Sequence, residues 1–105
     1  MNKVIRDGKV AVLLSHGCGA GWSTSLSVSD EYRDTYLFHP KLVGMVEEGR
    51  HREITEEWME KELGIKDGFV FGRDDLYIEW VPVGTKFIIH AYDGHESLET
   101  NWITA

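Results

Sequence analysis

Apolar and polar positions alternate with a short period from the start of the chain, and Val4-Ile5-Arg6-Asp7-Gly8-Lys9-Val10 sets Asp-Gly between two β-branched segments. Asp-Gly supplies the positive φ angles of a type I′ turn, so a hairpin is predicted there. In Val10-Ala11-Val12-Leu13-Leu14 both alternating faces are apolar. That pattern places the second strand, running to about Ser15, between two packed layers at the centre of a sheet. Residues 22–28 alternate Trp22, Thr24, Leu26 and Val28 against Ser23, Ser25 and Ser27, which predicts a half-buried strand. Residues 29–35 are polar and predict a loop.

The period then lengthens. Pro40 suits a first helical position, Leu42, Val43, Met45 and Val46 form a stripe, and Gly49 suits a left-handed stop, predicting a helix over 40–48. A second helix is predicted over 53–63, with Ile54, Trp58 and Met59 inward, Glu56, Glu57 and Glu60 outward, and Gly64 as its end. Strands return over 76–81, 86–92 and 95–102, with turns at 82–85 and at Asp93-Gly94. A two-residue turn at Asp93-Gly94 pairs Tyr92 with His95, Ala91 with Glu96, His90 with Ser97, Ile89 with Leu98 and Ile88 with Glu99. Phe87, Ile89, Ala91 and Leu98 then share the apolar face of this hairpin, and His90, Tyr92, His95, Ser97 and Glu99 share the other with Ile88. The order predicts an α+β fold, an antiparallel β-sheet of hairpins with two short α-helices packed on it, in a single domain spanning 1–105.

The 105-residue length leaves no room for separate cofactor and substrate domains. The longest fully apolar run, Val10 to Leu14, is far below the roughly 20 residues of a membrane span. The segment from Met1 to Asp7 turns charged before an apolar signal segment can form, so the chain is expected to stay in the cytoplasm. A formal net charge of −7 repels nucleic-acid phosphates and argues against a long nucleic-acid partner. It leaves room for a small anion, because backbone N–H groups outweigh a distant net charge over a few ångströms. Cys18 is the single cysteine, which excludes an internal disulfide and Cys-rich zinc frameworks and fits a reducing compartment. Four tryptophans and two-sided hairpins around a small core predict a homo-oligomer.

The candidate chemistry lies in Ser15-His16-Gly17-Cys18-Gly19-Ala20-Gly21-Trp22-Ser23-Thr24. Alternating glycines let backbone approach a ligand closely and let successive N–H groups form an anion nest. The predicted ligand-binding residues are Gly17, Gly19 and Gly21 for phosphate, Trp22 as a stacking face, and Ser23 and Thr24 as hydroxyl donors. Arg6 and Arg73 would neutralise charge if folding brings either near. The competing reading of the same residues is a wide glycine turn with Trp22 in the core. Trp22 stands where a dinucleotide fingerprint needs its third glycine, and the lysine of a phosphate-binding P-loop is missing, so no nucleotide cofactor is predicted. His16 and Cys18 could make a reactive thiolate, and Ser97, His90 and Glu99 superficially offer nucleophile, base and acid, but no strained elbow or oxyanion hole accompanies them. His16, Cys18, His39 and His90 lack the paired spacing of a zinc site, so no metal is predicted.

Two stretches carry a resemblance. The first is Val4-Ile5-Arg6-Asp7-Gly8 with Val10-Ala11-Val12-Leu13, leading to Gly17, Gly19-Ala20-Gly21-Trp22-Ser23-Thr24. The second is Asp75-Leu76, Ile78-Glu79-Trp80-Val81-Pro82, Gly84-Thr85, Phe87 and Ile89. Over about half its length the chain resembles a group of small, mostly uncharacterised proteins encoded by bacteriophages and prophages. The resemblance implies a phage origin and expression in the cytoplasm of an infected bacterial host. By analogy with small acidic phage proteins, it implies a counter-defence protein that binds and sequesters a small anionic, nucleotide-derived immune signal as a sponge. The alternative is an acidic inhibitor that occupies a basic host defence protein, supported by the charge and the acidic helix over 53–63. A small Cys- or Ser-dependent enzyme comes third.

Overall fold

The computed structural model describes residues 2–17, 21–25, 28–92 and 94–100. Strands β1 (Ile5–Arg6) and β2 (Lys9–Ser15) form the expected hairpin, with φ of 52° at Asp7 and 75° at Gly8. On its other side β2 pairs antiparallel with β3 (Leu76–Pro82), setting Leu13 opposite Ile78 and giving the order β1-β2-β3. Ala11, Val12, Leu13 and Leu14 are each fully buried. Their alternation divides the interior. Ala11 and Leu13 join Trp22, Leu42, Val43, Ile54 and Met59 on one side of the sheet, whereas Val12 and Leu14 join Leu37, Phe38 and Val81 on the other. Burying a Leu or Val in this way stabilises by roughly 1.5–3 kcal/mol each, so β2 is the spine of both cores.

The α+β class is as the pattern predicts, with three α-helices and five antiparallel strands among the described residues. The strands form two sheets where one was expected. Strand β4 (Phe87–Tyr92) pairs with β5 (His95–Thr100) and leaves β3 behind, because Val83 N–H turns to the Gly8 carbonyl at 2.9 Å and Thr85 N–H closes on Pro82. The ribbon register matches the expected one pair for pair, from Tyr92 opposite His95 to Ile88 opposite Glu99. Asp93 lies outside the described residues, and Gly94 takes a φ of 84°. Phe87, Ile89 and Leu98 fold inward onto Val12 and Leu14, so the ribbon covers one face of the three-stranded sheet.

Two local expectations are corrected. The described part of 22–28 is a turn, in which Val28 N–H bonds the Ser25 carbonyl at 3.1 Å. Its alternation arose from serines that tighten turns as readily as they decorate a strand. The expected loop over 29–35 is instead most of α1 (Asp30–Phe38). Only the last turn of α1 buries apolar side chains, Tyr36, Leu37 and Phe38, so its polar start shows no stripe. Asp30 and Glu31 favour the positive end of the helix dipole, and Arg33 pairs back to Asp30 at 2.7 Å.

The second helix, α2 (Pro40–Glu47), has Pro40 at its start and is capped by His39, whose Nδ1 accepts from Lys41 N at 3.1 Å. Burial, and then the Lys41 charge, hold the His39 imidazole below its usual range, which preserves that acceptor. The acidic helix is shorter than expected. Glu53 closes a separate 3₁₀ turn, His51–Glu53, and α3 (Glu56–Leu63) begins after Thr55, whose hydroxyl accepts from Trp58 N at 3.1 Å. Gly64 ends α3 at φ 72° as expected.

Candidate functional site

The glycine-rich loop leaves β2 at Ser15 and returns under α1, and its backbone donors do converge on an anion. That anion is the protein's own Glu96. The Glu96 side chain is fully buried; one oxygen accepts from Ser15 N at 3.0 Å, and the other from Trp22 N at 2.9 Å, Thr24 N at 3.1 Å and the Thr24 hydroxyl at 2.6 Å. Hydrogen bonds to a carboxylate are worth about twice neutral ones, so three N–H groups and one hydroxyl together make Glu96 a strong tie between the loop and β5. The N–H groups that meet this carboxylate are those of Ser15, Trp22 and Thr24, whereas the Gly17 N–H, assigned to phosphate, donates to the Ser15 hydroxyl at 3.1 Å.

The glycines serve the same closure. A Cβ on Gly21, at φ 78°, would lie 2.6 Å from the Thr24 hydroxyl and 3.2 Å from a Glu96 oxygen, and one on Gly17 would lie 2.6 Å from the Asp75 carboxylate. Gly19, like Cys18, lies outside the described residues.

Trp22 is 1% exposed, its indole N–H donates to the Tyr36 carbonyl at 2.8 Å, and the two rings lie 4.7 Å apart. It is a core residue and presents no stacking face. Tyr36 in turn donates its O–H to the Phe69 carbonyl at 2.8 Å, and burial pushes its pKa up to about 12, so the bond persists under alkaline conditions. Ser23 is buried, and the Thr24 hydroxyl, expected to face a ligand, is spent on Glu96.

Neither predicted arginine is delivered to the described part of the loop. Arg6 sits at the far end of β2, forked onto Glu47 of α2 and lying over Trp80. The Arg6 hydrogen bond and charge hold the Glu47 carboxyl below the usual range. Arg73 follows Gly72, which packs against Ser15 and Gly21, but its guanidinium turns to the Ile54 carbonyl at 2.9 Å and to Asp74 at 3.3 Å.

A cation that does reach the described part of the loop is Arg33. Its position on α1 went unread because 29–35 carries no apolar stripe. Arg33 donates to the Ser23 carbonyl and, through Nε, to Asp30 at 2.7 Å. Beside it a groove of about 330 Å³ opens between the loop, α1 and β4. Ser23, Thr24 and Arg33 form its polar end, and Leu37, Phe87 and Ile89 its apolar wall. Asp30, the ion-pair partner of Arg33, is 95% exposed. An exposed pair of this kind holds by about 1 kcal/mol or less, which lets a more highly charged anion replace Asp30 while the Ser23 carbonyl keeps the guanidinium in place.

On the exposed face of the ribbon His90 pairs with Glu99. No family model matches the chain, and no curated protein or solved structure matches it at a significant level. Among the described residues no helix is long and apolar enough to cross a membrane.

Proposed function

We propose that the protein is a non-enzymatic binder of a small anionic, nucleotide-derived ligand, acting as a phage counter-defence sponge, and that its seat is the groove beside the loop. The observation that carries this reading is the groove's polarity, with a held guanidinium at one end and an apolar wall at the other. A phosphate would replace Asp30 on Arg33, and a base or sugar ring would lie against Leu37 and Phe87. At about 330 Å³ the groove is near the lower bound for small-molecule sites, which favours a single nucleotide unit over a long oligomer.

Calorimetric titration against cyclic dinucleotides, cyclic trinucleotides and ADP-ribose derivatives tests it. One of these should bind, and Arg33→Gln should weaken binding by roughly 2 kcal/mol, about thirtyfold, while leaving the melting temperature within a few degrees. Uniform failure across the panel, with a host protein retained in a pull-down, would replace this reading by the acidic inhibitor. The feature that favours that second reading is α3, which exposes Glu56, Glu57, Glu60 and Glu62 on one short helix.

The proposal includes a homo-oligomer. The outer face of the ribbon offers Ile88, 47% exposed, and Tyr92, 85% exposed, as its contact. Light scattering at micromolar concentration should give a mass above the 12.0 kDa of one chain, and Tyr92→Glu should lower it. A single-chain mass for the unaltered protein would remove this part of the proposal.

A further inference from the structure

Three of the five histidines have one ring nitrogen engaged: His39 accepts from Lys41 N, His51 meets the Leu76 carbonyl at 2.9 Å, and His90 pairs with Glu99. The other two are His16, which ends the run of β2 into the glycine-rich loop, and His95, which opens β5. Both are exposed, and neither ring nitrogen makes a hydrogen bond among the described residues. These two rings lie together, with centroids 5.2 Å apart and planes inclined at 49°. The His16 ring is also fixed in place, stacked on Tyr77 at 3.7 Å with planes 8° apart.

We propose that His16 and His95 form a two-histidine site for a divalent transition-metal ion of the zinc type. Two imidazoles on one tetrahedral ion, each with a metal–nitrogen bond of about 2.1 Å, place their ring centroids roughly 5 Å apart, which is the separation observed. Imidazole nitrogen is a favoured ligand of Zn²⁺, Ni²⁺ and Cu²⁺. The formal charge of −7 attracts a cation, and the stack on Tyr77 reduces the rotamer freedom lost on binding. Among the described residues no group of three or more His, Cys, Asp or Glu side chains is placed to hold a metal, so the remaining positions on the ion are left to water or to donors of a bound molecule. The site lies on the rim of the loop, where β2, β3 and β5 meet, and does not depend on the Arg33 groove.

The test is titration of the full chain with ZnCl₂ at about pH 7.5 in a Cys18→Ser background that removes the thiol as a competing ligand. The expected result is one ion per chain, with affinity falling roughly tenfold or more in His16→Gln and in His95→Gln, and unchanged in His90→Gln. Added Ni²⁺ should broaden the ring-proton resonances of His16 and His95 before those of His39 and His51, which reads the site in the unaltered fold without any substitution. Equal affinity in the two substituted chains, an equal loss in His90→Gln, or broadening of all five histidines together would overturn the proposal.

Discussion

Replacing Glu96 with alanine should destabilise the protein by about 3–5 kcal/mol, because it leaves a buried cluster of donors with no acceptor. Ser15 N, Trp22 N, Thr24 N and the Thr24 hydroxyl all end on this one fully buried carboxylate. Domains of this size are stable by about 5–15 kcal/mol in total, so the substitution would bring a chain at the low end of that range close to unfolding at working temperature. Glu96→Gln should cost less, about 2–3 kcal/mol. Its amide oxygen can replace the oxygen that takes three of the bonds, but its NH₂ then faces the Ser15 N–H, donor against donor. Urea denaturation of both variants measures the ordering, and hydrogen exchange should show the Trp22 and Thr24 amides losing protection first. An alanine variant within about 1 kcal/mol of the unaltered protein would mean that water or another group replaces the carboxylate, and that the loop is not held by Glu96.

The signals of β1 to β5 were legible because they are local, whereas the equally local alternation over 22–28 belonged to a turn. Asp7-Gly8 forces its turn through positive φ, the double-sided apolar run of β2 has no stable place except between two layers, and Gly94 sets a ribbon register that follows by counting. Helix α1 was illegible for the opposite reason. Its stability comes from an acidic first turn, the Arg33 pair and one buried turn at Tyr36 to Phe38, none of which produces a periodic stripe. The division into two sheets was equally hidden, since it depends on where Val83 N–H finds its partner, and that partner, Gly8, lies at the other end of the chain.

The loop was read as an open anion nest built on its glycines, whereas the N–H groups of Ser15, Trp22 and Thr24 hold the side chain of Glu96. A signal for its true occupant was present in the ribbon pattern. Counting from the turn puts Glu96 opposite Ala91 on the face that also carries Ile89 and Leu98, so an ionisable side chain was being sent into an apolar layer. A buried carboxylate needs several donors, and the densest unclaimed set in the chain was the glycine-rich loop. Residue spacing alone does not reveal that pairing, because Glu96 is 81 positions from Ser15. The same closure is why the proposed sites lie outside the loop, at Arg33 and the groove on one side and at His16 and His95 on the other.

Trp22→Ala separates the two readings of the loop most sharply. A tryptophan serving as an exposed stacking platform could be removed at little cost to the fold, whereas Trp22 is 1% exposed, packs on Tyr36 and joins the core that includes Leu13, Leu42 and Met59. Its loss should cost about 3–5 kcal/mol and lower the melting temperature by at least about 12 °C, since each kcal/mol shifts a domain of this size by roughly 4–8 °C. Trp22→Phe isolates the polar part of that cost. Phenylalanine keeps most of the ring packing but strands the Tyr36 carbonyl that the indole N–H now satisfies at 2.8 Å, for an expected cost of about 1–2 kcal/mol plus the smaller cavity. Thermal unfolding monitored by circular dichroism gives both values. If instead Trp22→Ala melts within a few degrees of the unaltered chain and abolishes nucleotide binding, the ring is a ligand platform after all, and the groove beside Arg33 is not where the ligand sits.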